Sequence, residues 1–113
     1  MSQITTHILD TSTGAPAENV PLNLSQLADG QWSELASGTT NEDGRVSGLL
    51  ADGRILEAGD YKMVFDTASY FGSTGVRGFY PRVEIIFAID GDGQHYHIPL
   101  LLSPFGYSTY RGS

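Results

Sequence analysis

Apolar residues recur at every second position in short runs separated by turn signals, and few architectures accept that pattern. Ile4, Thr6 and Ile8 alternate with Thr5, His7 and Leu9, and Val20, Leu22 and Leu24 form a second run. Tyr61, Met63 and Phe65 make another, as do Val83, Ile85, Phe87 and Ile89, and then Tyr96, Ile98, Leu100 and Leu102. A strand sends successive side chains to opposite faces, so each run offers one face to a core and the other to solvent. Asp29-Gly30 reads as a hairpin signal leading into a strand over Trp32 to Thr40, and Asn41-Glu42-Asp43-Gly44 makes the next turn. Val46 to Leu50 reads as a short edge strand weakened by Gly48, and residues 11–19, 51–60 and 73–81 as loops. Ser103-Pro104-Phe105-Gly106 is a tight turn before a last strand. Thr67 to Phe71 closes one or two helical turns, with Asp66 as N-cap and Gly72 at the end. The expectation is an all-β antiparallel sandwich of roughly seven to eight strands with one short helix near 67–72.

The chain of 113 residues makes one domain, 1–113, and no internal repeat is visible. A chain of this size buries roughly two thirds of its unfolded surface, enough for a core without disulfides, and it has no cysteine to form one. Six Lys and Arg against thirteen Asp and Glu give a net charge of −7, with the cations scattered. That disfavours nucleic acid and anionic membrane surfaces as partners. No run approaches the roughly 20 apolar residues of a membrane span. Met1 to His7 lacks the basic and apolar regions of a secretory signal, so a cytoplasmic location is expected.

Chemistry gathers at the histidines. His95 and His97 share one face of a strand, about 7 Å apart, and His7 lies on the first strand. Each alone reads most simply as a half-buried polar residue. Three imidazoles on strands also suit a hydrolytic zinc site, though neither a cysteine nor a His-Glu-x-x-His helix supports one. Arg45 follows a turn at the mouth of the sheet, where it is either a surface cation or a planar donor for carbonyl or carboxylate oxygens. Asp90-Gly91-Asp92-Gly93 is a turn rather than a calcium loop, since the twelfth position is Leu101 and not Glu. Glu42 and Asp43 are solvated turn residues. The aromatic end, Tyr110-Arg111-Gly112-Ser113, reads as packed rather than frayed: an arginine can fix a terminal carboxylate, and Gly112 lets the chain come close to another surface.

These segments, taken in order, resemble the 5-hydroxyisourate hydrolases of the transthyretin-related family over nearly the whole chain. Thr6-His7-Ile8-Leu9-Asp10 with Thr13-Gly14-Ala15-Pro16-Ala17 looks like the family's first strand and loop, and Thr40 to Arg45 like its Asp-Gly-Arg turn. Gly59-Asp60-Tyr61, Tyr70-Phe71, Phe79-Tyr80-Pro81 and His95 to Ser103 fall in the expected order, and the Tyr-Arg-Gly-Ser end separates the enzymes from transthyretin itself. The resemblance implies a transthyretin-like (prealbumin-like) sandwich assembled as a homotetramer, a dimer of dimers. Its sites would lie in the channel between dimers, with a neighbouring subunit's terminus contributing. It implies hydrolysis of 5-hydroxyisourate to 2-oxo-4-hydroxy-4-carboxy-5-ureidoimidazoline in urate breakdown, without cofactor or metal. The catalytic residues it implies are His7, Arg45, His97 and Ser113, with Tyr110, Arg111 and Gly112 at the substrate. The expected base is His97 assisted by His7, while His95 has no principal role. Two other readings stand beside it, a carrier of a small apolar ligand in the same channel and a zinc hydrolase using His7, His95 and His97.

Overall fold

The computed structural model describes all 113 residues. The alternating runs form two four-stranded sheets. One sheet has the order β2 (Ala15–Pro16), β1 (Ile4–Asp10), β7 (Tyr96–Ser103), β8 (Gly106–Thr109). The other runs β4 (Gln31–Thr39), β3 (Pro21–Ala28), β5 (Gly59–Phe65), β6 (Val83–Ile89). A single helix, α1 (Thr67–Ser73), joins β5 to β6. No helix is long and apolar enough to cross a membrane.

The sheets face each other through the residues that alternation marked. Ile4 and Ile8 from β1 and Ile98, Leu100 and Leu102 from β7 are buried against Leu22, Leu24, Tyr61, Met63, Phe65, Val83 and Ile89 of the other sheet. The opposite faces of β1 and β7 are left half-buried or open at Thr5, His7, Leu9, His97 and Leu101. Burial of one face therefore presents the other, with its imidazoles, outward.

Four features depart from the sequence expectation. The central pair β1–β7 is parallel, in the register Thr5↔His97 and His7↔Pro99, whereas every other pair is antiparallel. Hairpins force antiparallel neighbours, but β1 and β7 are joined by most of the chain, so no turn dictates their direction. Val46 to Leu50 is not a strand. Its main chain makes turns, Val46 lies over Gly38, and Leu49 and Leu50 plug one end of the core. Leu50 N–H donates to the Ser2 hydroxyl (3.0 Å) instead of to a ladder. The loop at 11–19 contains the two-residue strand β2, too short for any periodicity to reveal. Finally, α1 runs past Gly72 to Ser73, although Asp66 caps it as expected by accepting from Ser69 N–H (3.0 Å).

The helix is tied to the site-bearing sheet through a buried network. Tyr70 donates to Asp10 Oδ2 (2.7 Å), while Asp10 Oδ1 accepts from the Ser12 hydroxyl (2.6 Å) and main chain (3.0 Å). Burial pushes the Asp10 carboxyl up, but these donors outweigh it and hold the group below the usual carboxylate range. Burial and the adjacent carboxylate push the Tyr70 phenol up to about 12. Tyr70 thus stays a donor, and the end of β1 beyond His7 is fixed.

Candidate active site

Four backbones bring the site together at neighbouring positions. Arg45 forms an antiparallel bridge to His7, Thr5 pairs with His97, and His97 forms a bridge to Gly112. His7 and Thr5 lie two residues apart on one strand face, and Tyr110, one step from Gly112 on that face, is 60% exposed. Arg45, His7, His97 and the chain's own C-terminal segment therefore share one open surface.

The turn that delivers Arg45 is built by its sequence. Asn41 Oδ1 accepts from Asp43 N–H (2.9 Å) and Arg45 N–H (3.1 Å), closing the loop in the manner of an Asx turn. Gly44 sits at φ 74° with its carbonyl accepting from Ile8 N–H (2.9 Å). A Cβ there would collide with the Ile8 carbonyl oxygen, so only glycine lets the turn dock on β1. Glu42 and Asp43 point into solvent, as expected of turn residues.

The C-terminal segment is held at three points. Gly112 N–H donates to the His97 carbonyl (2.9 Å). Its α-carbon lies so near the His97 ring that an added Cβ would overlap Cδ2 and come within 3.2 Å of Cγ. Arg111 turns away from the imidazoles: its guanidinium stacks 4.7 Å over the Tyr96 ring and donates to Gln94 Oε1 (2.7 Å). Arg111 therefore anchors the tail, and Ser113 lies exposed just beyond it.

His95 is not on a strand; it precedes β7 and is exposed. Its ring still stands near that of His97, with centroids 6.3 Å apart and planes 19° apart. Between them sits the Thr5 hydroxyl, 2.8 Å from His95 Nε2 and 2.8 Å from His97 Nδ1. From the sequence Thr5 reads only as a strand former. Its place two residues before His7, on the same face, was the available signal. Burial, and then the charges of Arg45, His95 and His7, push the His97 imidazole below its ordinary range against a smaller opposing pull from the Thr5 main chain. His97 is accordingly a neutral imidazole beside a permanent cation, an arrangement that suits a general base next to an oxyanion stabiliser. No group of three or more His, Cys, Asp or Glu side chains converges as metal ligands. The zinc arrangement of His7, His95 and His97 therefore lacks its geometry.

Residues 4–112 match the family described as HIUase/Transthyretin. A mouse protein named 5-hydroxyisourate hydrolase is 49% identical over 99% of this chain and 96% of its own length. A Klebsiella pneumoniae 5-hydroxyisourate hydrolase structure is 43% identical and superposes with a TM-score of 0.83, covering 97% of this chain and 98% of its own. Sea bream transthyretin, solved in complex with thyroxine, has a TM-score of 0.91 at 36% identity, covering 98% of this chain and 95% of its own.

Proposed function

From a chain that belongs to the HIUase/Transthyretin family, we infer a hydrolase that opens the ring of 5-hydroxyisourate. The observation that carries this reading is the meeting of Arg45, His7 and a neutral His97 on one outward face. His97, assisted by His7, takes a proton from water as the oxygen adds to the ring carbonyl. Arg45 faces the oxyanion that develops, a contribution typically worth a few kcal/mol. The ring C–N bond then breaks, the departing nitrogen receives the proton held by the imidazole, and the carbonyl carbon becomes a carboxyl group that ionises, its proton passing to solvent. The product is 2-oxo-4-hydroxy-4-carboxy-5-ureidoimidazoline. Gly112 and Tyr110 wall the site, and Ser113 orients water or substrate. No cofactor takes part.

The test is the ultraviolet decay of freshly made 5-hydroxyisourate with and without protein, repeated with a chelator. Acceleration that survives chelation supports the reading. Decay no faster than the spontaneous rate overturns it.

The carrier reading has one observation in its favour, the close superposition on thyroxine-bound transthyretin. Against it, the open face carries three imidazoles and a guanidinium instead of an apolar lining. Binding of iodinated aromatics by a protein inert toward 5-hydroxyisourate would favour the carrier.

Assembly as a homotetramer is part of the same proposal. Two edge strands, β6 and β8, carry exposed Ile86 (60%) and Tyr107 (44%), and Phe105 in the turn before β8 is 74% exposed. Such surface on open edges favours association between copies, with the open imidazole faces paired across a channel. Sedimentation equilibrium should give about four times the chain mass, and a monomer at micromolar concentration would remove the channel.

A pH dependence follows from His97. A base must be neutral, and its affinity for protons is lowered here, so the acid limb of kcat should lie below about 6.5, the ordinary imidazole value. Arg45→Gln removes one of the charges that lower it, so the limb of the residual activity should move up toward 6.5. A limb that moves down, or stays, would separate Arg45 electrostatically from His97.

A further inference from the structure

The hydroxyl between the two imidazoles has a single proton, and that restricts both rings. If Thr5 donates to His95 Nε2, it must accept from His97 Nδ1; if it donates to His97 Nδ1, it must accept from His95 Nε2. With both rings neutral, the first arrangement protonates His97 at Nδ1 and leaves Nε2 as a lone pair. The second places the proton on Nε2 and leaves no basic nitrogen on the side away from Thr5.

We propose that the Thr5 hydroxyl is a positioning group that holds His97 in its Nδ1–H tautomer, accepting from Nδ1 and donating to His95 Nε2. The assignment deepens the hydrolase reading and rests on it for its catalytic meaning, although the tautomer itself is a property of the free protein.

Two considerations favour this arrangement. Thr5 and His97 are direct register partners on the parallel pair β1–β7, so the hydroxyl is set by the ladder and not by a mobile loop. The arrangement also tolerates every proton movement nearby. When His97 Nε2 takes a proton from water, Nδ1–H keeps its bond to Thr5 and nothing rotates. When the exposed His95 is itself protonated, the hydroxyl oxygen accepts from both rings, and His97 Nδ1–H is again undisturbed. The alternative would require both groups to reorganise during each turnover.

Thr5→Val removes the hydroxyl while keeping a β-branched shape that suits a strand; Thr5→Ser keeps the hydroxyl. Two-bond proton–nitrogen spectra of ring-labelled protein, recorded well above pH of about 6.5, read the tautomer of each histidine without substrate. Wild type and Thr5→Ser should show His97 protonated at Nδ1, and Thr5→Val should show a substantial Nε2–H population. In the 5-hydroxyisourate assay kcat should fall on the order of tenfold in Thr5→Val, with KM within about twofold, and recover in Thr5→Ser; this is a fraction of what a general base supplies. A wild-type His97 protonated at Nε2, or a Thr5→Val protein with unchanged tautomer, overturns the proposal. If wild type fails to accelerate hydrolysis, the enzyme reading falls, and the spectra still decide the tautomer.

Discussion

His97→Ala should lower kcat on 5-hydroxyisourate by about 10²- to 10⁴-fold, the range a positioned general base contributes. The side chain is half-buried, faces away from the core and makes its one side-chain bond to Thr5, so stability should change by no more than about 1 kcal/mol. Ultraviolet decay of the substrate gives the first number and urea unfolding the second. Turnover within about threefold of wild type would transfer the base role to His7, the imidazole that β1 contributes to this face. Loss of turnover together with loss of β-rich circular dichroism would make His97 a packing residue.

Gly112→Ala should act almost as strongly through a single methyl group. The new Cβ would overlap Cδ2 of His97 and crowd Pro99 Cγ at 3.2 Å. Either the imidazole rotates away from Thr5 or the tail lifts and breaks the 2.9 Å bond from Gly112 N–H to the His97 carbonyl. Displacing a reacting group by about 1 Å costs on the order of 10²-fold in rate, and that is the expected loss in kcat. Gly106→Ala is the control, because a Cβ there meets only Ser103 Oγ at an ordinary 3.7 Å. Deleting Arg111 to Ser113 should reproduce the Gly112→Ala defect with the circular dichroism spectrum unchanged. Full activity in Gly112→Ala would mean that the tail has no part in holding the ring.

Alternation made the strands legible because each is buried on one face only. Ile4, Thr6 and Ile8 went inward and Thr5, His7 and Leu9 outward, as period two requires. The same rule placed His97 on an open face and opposite Tyr96, Ile98 and Leu100. What alternation cannot convey is which strands become neighbours. The parallel pairing of β1 with β7 sets Thr5 against His97, and only family resemblance bore on strand order. His95 illustrates a second limit: it continues the alternation of β7, but the ladder stops at Tyr96, and its ring reaches Thr5 from outside the strand. Val46 to Leu50 illustrates a third. Apolar residues plugging the end of a sandwich carry the same composition as an edge strand, and only the missing ladder partners tell them apart. The role of Arg111 was hidden for a similar reason, since no local pattern predicts that a guanidinium will stack on Tyr96.

The bridge from His97 to Gly112 extends the local β7–β8 hairpin, but the bond from Thr5 to His97 spans 92 positions of sequence. Contacts of such separation are the slowest for a chain to find, because most of the loop-closure entropy is lost before they form. The β7–β8 hairpin carries His97 and the tail, and the face is complete only when long-range closure sets them beside Thr5 and His7 on β1. An intermediate with β3, β4, β5 and β6 already paired would show abundant sheet and a partial core yet hold no two site residues in register. Activity in this protein reports closure of the whole sandwich.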